Sequence, residues 1–443
     1  MREEIIAAVK AAGVVGAGGA GFPTHIKINA TVDTVIVNGA ECEPLLRAHQ
    51  LIMASESEPL IVGLRAVMVA TGAGRGVIGL KRKYEEAVTK LQAALIKLNA
   101  QDIELFFLPD IYPAGDEQVL LHEVTGRIVP EGGIPLQVGV VVVNVETLVN
   151  VAAALAGKPV TDKYVTVTGA VKQPATFKVP IGMAINELIG LAGGPTVSPY
   201  AVIDGGPMMG KLTAADQPVT KTTGGIIVLP GQHSLVTEKS TPWAAIANRA
   251  KAVCCNCRAC TDVCPRNLLG HSLEPHRIMQ AIGRGQYHEA DVVTKALLCS
   301  ECGACDSFGC SMGLSPRRVN AELKRQFGQA RLKNPHNAKP RTSRPYREHR
   351  LIPTKRLLYR LGLGEYDVKA PLQSEPVTTS YVRILLTQHI GAPAKPVVQV
   401  GSLVRQGDIV AVIPEGTAMG TNLHASIAGQ VCAVERSIDI RSM

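Results

Sequence analysis

The sequence predicts a multidomain α/β protein, and three observations carry that prediction. Apolar runs of strand character alternate with helical patterns through the first 155 residues. From Lys163 the pattern turns to short paired strands, and a β-rich stretch returns after residue 372. Between them, eight of the eleven cysteines form two spaced runs in the stretch from Cys254 to Cys310. At 443 residues the chain has room for about three domains, and a hydrophobic content of 46% allows a sizeable core.

The elements follow in order. Residues 3–12 read as a short helix. The stretch Gly16-Ala17-Gly18-Gly19-Ala20-Gly21-Phe22-Pro23-Thr24 comes next. It contains a literal G-x-G-x-x-G, but no strand precedes it, so it is a poor dinucleotide fingerprint. A plain tight loop and a loop whose backbone N–H groups approach a phosphate or a flat ring stand equal here. Strands at 33–37, 76–80, 103–108 and 138–143 then alternate with helices at 49–70, 84–98, 117–124 and 146–155. Such alternation predicts a mostly parallel sheet covered by helices, and ligands of such sheets bind beyond the carboxyl ends of the strands. The loops there, 38–44 and 112–117, are acidic and suit a ligand that carries hydroxyls.

Residues 164–169 and 175–179 read as paired strands, 184–191 as a helix, and 201–203 and 225–229 as further strands. Together they make a small β-grasp unit. A helix at 242–253 leads into the cysteine stretch. Helices at 274–282, 288–298 and 315–327 complete a helical domain around it. Strands are expected at 382–386, 397–400, 409–413 and 429–434. The expected domains are 1–160, 161–240, 241–330, a basic linker at 331–372, and 373–443.

The cysteine stretch carries the most specific signal. The first run is Cys254-x2-Cys257-x2-Cys260-x3-Cys264-Pro265 and the second is Cys299-x2-Cys302-x2-Cys305-x4-Cys310. The first spacing is the bacterial ferredoxin pattern, in which three thiolates hold one 4Fe–4S cluster and the fourth serves another. Two runs therefore predict two clusters that exchange fourth ligands. One takes Cys254, Cys257, Cys260 and Cys310; the other takes Cys299, Cys302, Cys305 and Cys264. Zinc knuckles are the alternative, but they use two separated C-x2-C pairs, whereas here three cysteines recur at x2 spacing twice. The x4 gap before Cys310, with Phe308-Gly309 as a possible bulge, departs from the pattern. Cys255 reads as a bystander, or as a substitute for Cys254.

Cys42, Cys255 and Cys432 lie scattered, unlike a disulfide framework. The start Met1-Arg2-Glu3-Glu4 lacks the flank and apolar run of a signal peptide. The most apolar segment, 138–156, is interrupted by Asn144, Glu146 and Asn150, so no membrane span is expected. A soluble protein of a reducing cytosol follows. The net charge of +9 is local: residues 324–360 hold twelve Lys or Arg and one acid, Glu348. A solvated linker, with an acidic protein surface as possible docking partner, is preferred to a nucleic-acid site, because prolines break the patch and few aromatics interleave it.

The glycine loop resembles the FMN loop of the NADH-oxidising flavoprotein subunit of respiratory complex I, and equally that of the C subunit of Rnf electron-transport complexes. The segments Asn38-Gly39-Ala40-Glu41-Cys42-Glu43-Pro44, Tyr112-Pro113-Ala114-Gly115-Asp116-Glu117 and Asn144-Val145-Glu146-Thr147 fall in the same order as their FMN and NADH segments. The resemblance implies a Rossmann-like FMN domain. It gives cofactor-binding roles to Gly16, Gly18, Gly19, Gly21, Phe22, Lys27, Asn38, Glu41, Glu43, Tyr112, Gly115, Asp116, Glu117 and Asn144. Ala40 stands where the complex I pattern has aspartate and Val143 where it has the first of two asparagines; both are closer to the Rnf-like branch. It further implies a soluble-ligand-binding β-grasp module, whose Gly205-Gly206-Pro207-Met208-Met209-Gly210 segment fits, with both methionines as packing residues. The segments His389-Ile390-Gly391-Ala392-Pro393 and 423–429 resemble the barrel-sandwich, lipoyl-like domain. His389 and His424 are read as hydrogen-bonded residues of turns, with metal ligation as the alternative.

In the Rnf family the barrel-sandwich domain comes first; here it comes last. This order resembles the cobalamin reductases of propanediol-utilisation microcompartments. That resemblance implies NADH as hydride donor, FMN and two 4Fe–4S clusters as electron carriers, and cobalamin as acceptor, reduced from cob(III)alamin towards cob(I)alamin. A cobalamin adenosyltransferase and a microcompartment shell protein are the implied partners, and a bacterial microcompartment in the cytoplasm is the implied location. No catalytic side chain is assigned, because the cofactors carry the chemistry. An Rnf-like NADH:ferredoxin electron-transfer protein and a zinc-filled scaffold are the other readings. Residues 1–160 are expected to hold FMN as a separate fragment.

Overall fold

The computed structural model describes every residue except Tyr287. The amino-terminal domain is built on a four-stranded, all-parallel sheet. In chain order its strands are Thr34–Gly39, Arg75–Lys81, Ile103–Leu108 and Val140–Asn144, and they lie in the order third, second, first, fourth. The run Val140-Val141-Val142-Val143 is buried throughout, as a strand covered on both faces requires. The helices Ser57–Thr71 and Val145–Leu155 pack so closely on one face that a Cβ on Gly63 would lie 2.0 Å from the Leu148 carbonyl oxygen. The predicted helix at 49–70 is two helices, Ala48–Ser55 and Ser57–Thr71. The break falls at Glu56, whose φ of −119° is not helical and whose carboxylate accepts the Tyr164 hydroxyl at 3.0 Å.

The β-grasp sheet has five strands, in the order Ala175–Pro180, Asp162–Gly169, Gly225–Pro230, Tyr200–Asp204, Lys211–Thr213. The pair Asp162–Gly169 and Gly225–Pro230 is parallel and the other pairings are antiparallel. The strand Lys211–Thr213 and the helix Ser234–Ser240 are not expected from sequence; both are short and largely polar, so they carry little periodicity. The cysteine domain is helical, around Ile278, Ile282, Leu298 and Val319. Its expected helix at 288–298 is a single α turn, Ala290–Val293, running into a 3-10 segment, Thr294–Leu298. The C-terminal domain pairs a four-stranded with a three-stranded sheet. The expected strand at 397–400 is absent; the chain pairs instead at Lys395–Pro396, two residues earlier.

Residues 331–372 are not a solvated linker. The strand Ile352–Pro353 pairs antiparallel with Ile111–Tyr112 of the first domain. Helix Thr354–Arg360 buries Leu357 and Leu358. Arg347 is buried against Glu123, and Thr176 of the β-grasp sheet hydrogen-bonds the Pro371 carbonyl at 2.9 Å. The segment is a strap that crosses three domains. Its cations dominate the composition, while its apolar anchors are too sparse to show a period.

Candidate functional site

The strand order places the site. The chain builds its sheet outward from the first strand, then returns to that strand's other side for the fourth. The crevice where the order reverses, beyond the carboxyl ends, is where such sheets take ligands. Asn38 and Asn144 are register partners at that end. Asn144 is also the N-cap of helix Val145–Leu155, accepting from Glu146 N at 2.9 Å and Thr147 N at 3.4 Å, the capping an asparagine side chain favours. Its Nδ2 lies 2.8 Å from His49 Nε2.

The glycine loop closes over this point. Gly16 N–H donates to the Phe22 carbonyl at 2.9 Å, and Ala17 N–H donates to Thr147 Oγ1 at 3.0 Å. A Cβ on Gly18 would lie 2.3 Å from Asn144 Nδ2, whereas one on Gly19 would meet nothing within 4 Å. Gly18, Gly19 and Ala20 are exposed. Among the described residues their N–H groups find no acceptor. Unpaired N–H groups on an open rim suit an anionic group, and the space at Gly19 suits close approach of a ligand. These residues fit a flavin nucleotide.

The acidic loops are used differently from the sequence expectation. Glu41 turns inward and accepts from the N–H groups of His49 and Gln50 at 2.9 and 3.3 Å, at the start of helix Ala48–Ser55. Glu43 accepts from Met208 N and Met209 N at 2.9 and 2.8 Å, and burial pushes its carboxyl up. Met208 is buried and Met209 is half-exposed, so only the first is a packing residue. Asp116 caps helix Glu117–Thr125 and pairs with Arg266 at 2.9 Å. Tyr112 is buried and its hydroxyl donates to the Cys302 carbonyl. Glu117 meets Lys27 at 2.7 Å in a part-exposed pair. Asn38 Nδ2 reaches the Gly115 carbonyl at 2.8 Å. Asn38, Gly115, Lys27, Glu117, Asn144 and the glycine loop thus surround the crevice, while Glu43, Tyr112 and Asp116 face neighbouring domains.

The two cysteine runs wind alike. Asn256 and Arg258, either side of Cys257, have φ of 58° and 67°; Glu301 and Gly303, either side of Cys302, have φ of 60° and 79°. These left-handed turns curl each loop around its middle cysteine. The extra residue before Cys310 falls in a π-helical turn, Cys305–Gly309, the wider single-turn form a helix can take locally. Gly309 then lies on the first run, so that a Cβ there would be 3.1 Å from Cys260 Cα. Burial pushes the Cys260 thiol up to about 12, and the thiols of Cys310, Cys257, Cys254 and Cys264 raise it further. The Cys305 thiol is also pushed up, by burial first, then by Asp306, Cys299, Cys302 and Cys264. Cys310 of the second run thus lies among the thiols that act on Cys260, and Cys264 of the first run among those that act on Cys305. Cys264, Cys302 and Cys305 are buried, while Cys257 is exposed. Glu301 N and Leu314 N lie 3.3 and 3.4 Å from the sulfurs of Cys299 and Cys310, contacts that tune cluster potentials. Among the described residues no three His, Cys, Asp or Glu side chains converge as ligands of one ion would; a cubane takes one thiolate at each of four irons. His389 Nε2 is 3.0 Å from the Ala392 carbonyl oxygen, within its own turn.

Comparison with known proteins gives the same division. Residues 9–153 match the Nuo51 FMN-binding domain, 164–212 the SLBB domain, 253–315 a 4Fe-4S dicluster domain, and 366–441 the RnfC barrel sandwich hybrid domain. The cobalamin reductase PduS of Citrobacter freundii is 46% identical over 98% of this chain and 95% of its own length. This chain belongs to the PduS cobalamin reductase family. The PduS of Salmonella typhimurium is 45% identical over 99% of this chain and 96% of its own length. The C subunit of the Na(+)-translocating ferredoxin:NAD(+) oxidoreductase complex of Acetobacterium woodii is more distant, 39% identical over 58% of this chain and 56% of its own length. Among solved structures, an NAD+-reducing NiFe-hydrogenase shares the fold, with a TM-score of 0.50, 24% identity, and coverage of 77% of this chain and 64% of that one. As a PduS family member the chain is a flavin and iron–sulfur oxidoreductase, and the dicluster match selects the iron–sulfur reading over zinc knuckles.

Several residues that shape this PduS-type flavin site escape a sequence reading. Lys163 and Glu146 form a buried ion pair behind the glycine loop, and Lys163 Nζ also donates to the Ala17 carbonyl at 3.2 Å. Thr147 anchors the loop and His49 orients Asn144. No local signal separates a buried lysine such as Lys163 from the exposed ones around it. Among the described residues no helix is long and apolar enough to cross a membrane.

Proposed function

We propose that this protein takes hydride from NADH and delivers single electrons to a corrinoid, reducing cob(III)alamin towards cob(I)alamin for adenosylcobalamin regeneration. When bound, FMN accepts the electron pair and the clusters pass electrons on singly. The Gly18, Gly19 and Ala20 N–H groups would hold the anionic flavin, with Asn38, Lys27, Gly115, Glu117 and Asn144 around it. Cys264, Cys299, Cys302 and Cys305 would hold the inner cluster, and Cys254, Cys257, Cys260 and Cys310 the outer one.

The observation that carries this reading is the join between the flavin domain and the inner cysteines. Tyr112 and Asp116 come from the loop at the flavin crevice. They bind the Cys302 carbonyl and Arg266, the second residue after Cys264. On this reading the join would set the crevice beside the group that includes buried Cys264, Cys302 and Cys305, and the other group, which includes exposed Cys257, would be the nearer to solvent. An inner entry and an outer exit suit a large acceptor that cannot enter the protein. The family's printed name, cobalamin reductase, favours a corrinoid as that acceptor. A cobalamin adenosyltransferase as the partner that consumes the product, and a shell protein of a propanediol-utilisation microcompartment as the host, accord with that reading.

The test is anaerobic reduction by NADH followed by cob(III)alamin or ferredoxin in parallel. Faster reoxidation by the corrinoid supports the proposal. Faster reoxidation by ferredoxin replaces it with the Rnf-like reading, which the 39% identity to the Acetobacterium woodii protein keeps in view.

A further inference from the structure

We propose that the C-terminal barrel-sandwich domain, acting with Lys221, is a positioning part of the flavin site, bracing the Gly13–Gly21 loop from behind so that its N–H groups face outward. This rests on the flavin site, not on the identity of the final acceptor.

The loop is gripped at both ends and in the middle. At its start, Lys221 Nζ donates to the Gly13 carbonyl at 2.6 Å and to Asn422 of the C-terminal domain at 3.0 Å. Gly13 has φ of 69°, and a Cβ there would lie 2.4 Å from the Asn422 carbonyl oxygen. In the middle, Lys163 Nζ holds the Ala17 carbonyl. At the far end, Ile390 N–H donates to the Gly21 carbonyl at 3.2 Å. A Cβ on Gly21, at φ of 71°, would meet the Gln388 carbonyl oxygen at 2.9 Å and His389 Cα at 3.0 Å. Gln388 ties the two grips together, because its Oε1 accepts Lys221 N–H at 2.9 Å.

The chemistry follows from the peptide unit. The Ala17 carbonyl and the Gly18 N–H belong to one peptide, as do the Gly21 carbonyl and the Phe22 N–H. A donor on the carbonyl side polarises the N–H on the other side and strengthens it as a donor. Lys163 and Lys221 are both buried, so the hydrogen bond each donates acts in a region of low dielectric. No carboxylate pairs with Lys221 among the described residues, and burial lowers its ammonium to about 7. Such a placement costs stability, which makes Lys221 poor as a purely structural choice and useful as a brace. The docking also explains why the barrel-sandwich domain can stand at the end of the chain: its task is a contact in space with the amino-terminal loop.

The experiment uses the full-length holoprotein and reads FMN affinity by flavin fluorescence, with iron per chain and thermal midpoint as controls. Lys221→Met removes a buried donor to two carbonyls and is expected to weaken FMN by about tenfold; Gln388→Ala removes a single acceptor and is expected to weaken it about threefold. Iron content stays at the wild-type level in both. Val431→Ala, in the barrel core and remote from the loop, is expected to lower the thermal midpoint and leave FMN affinity within about twofold. Wild-type FMN affinity in Lys221→Met overturns the proposal. So does an equal loss of FMN in Val431→Ala, which would mean that the domain acts only by keeping the chain folded. If Lys221→Met fails to fold, Gln388→Ala decides by the same comparison.

Discussion

Gly18 and Gly19 are neighbours with opposite surroundings, and the difference separates protein packing from ligand packing. At Gly18 a methyl group would push on Asn144, the cap of helix Val145–Leu155. At Gly19 it would project into open space. Gly18→Ala should therefore disturb the apoprotein, lowering its thermal midpoint by a few degrees, an effect of about 1–2 kcal/mol on the cap, and weakening FMN with it. Gly19→Val should leave the apoprotein's thermal midpoint unchanged and lower FMN affinity by at least about tenfold, since any loss there comes from the ligand's own space. Thermal melts of both apoproteins with flavin titrations check this. FMN binding by Gly19→Val at wild-type strength would remove the ligand from that space. The glycines are legible in sequence because the pattern is local. The carboxylates are not, since an acidic loop reads alike whether its acids face a ligand, as expected, or hold backbone N–H groups, as Glu41 and Glu43 do.

At the scale of elements, the crossed cysteine arrangement turns on the π-helical turn Cys305–Gly309. The π turn lays Gly309, next to Cys310 in the chain, on Cys260. Electron paramagnetic resonance of the reduced protein checks the consequence. Cys310→Ser is expected to perturb the same signal as Cys257→Ser, and Cys302→Ser the same signal as Cys264→Ser. Grouping of Cys310→Ser with Cys302→Ser would mean that each run holds its own cluster. The parallel strands are readable because buried Val and Ile runs such as 140–143 have one interpretation between helical patterns. The strap at 331–372 is not, because its pairing with Ile111–Tyr112 is non-local and only two residues long. The expected strand at 397–400 fails for a related reason: Val397 and Val400 are apolar yet exposed, and the short ladder forms at Lys395–Pro396.

At the scale of the molecule, domain order is legible and domain dependence is not. The expectation that residues 1–160 form a separate flavin-holding unit overlooks the braces at Lys163, Lys221 and Ile390. A fragment ending at 160 lacks all three, so weaker FMN binding is the expected result. Contacts across domains leave no periodic trace in sequence, whereas cysteine spacing and glycine loops do. On the proposed reading the same inter-domain joins would carry the electrons, from the crevice past Tyr112 and Asp116 to the inner thiols and then to the group that holds exposed Cys257. The most direct measurement of that route compares two acceptors in the Cys257→Ser protein with FMN bound and NADH as donor. Ferricyanide, a small acceptor able to take electrons at the flavin, should be reduced at the wild-type rate, while reduction of cob(III)alamin should fall by at least about tenfold, as expected when a one-electron relay loses its outer carrier. Cob(III)alamin reduction at the wild-type rate would contradict the account, because the electrons would then leave from the flavin without passing the outer cluster.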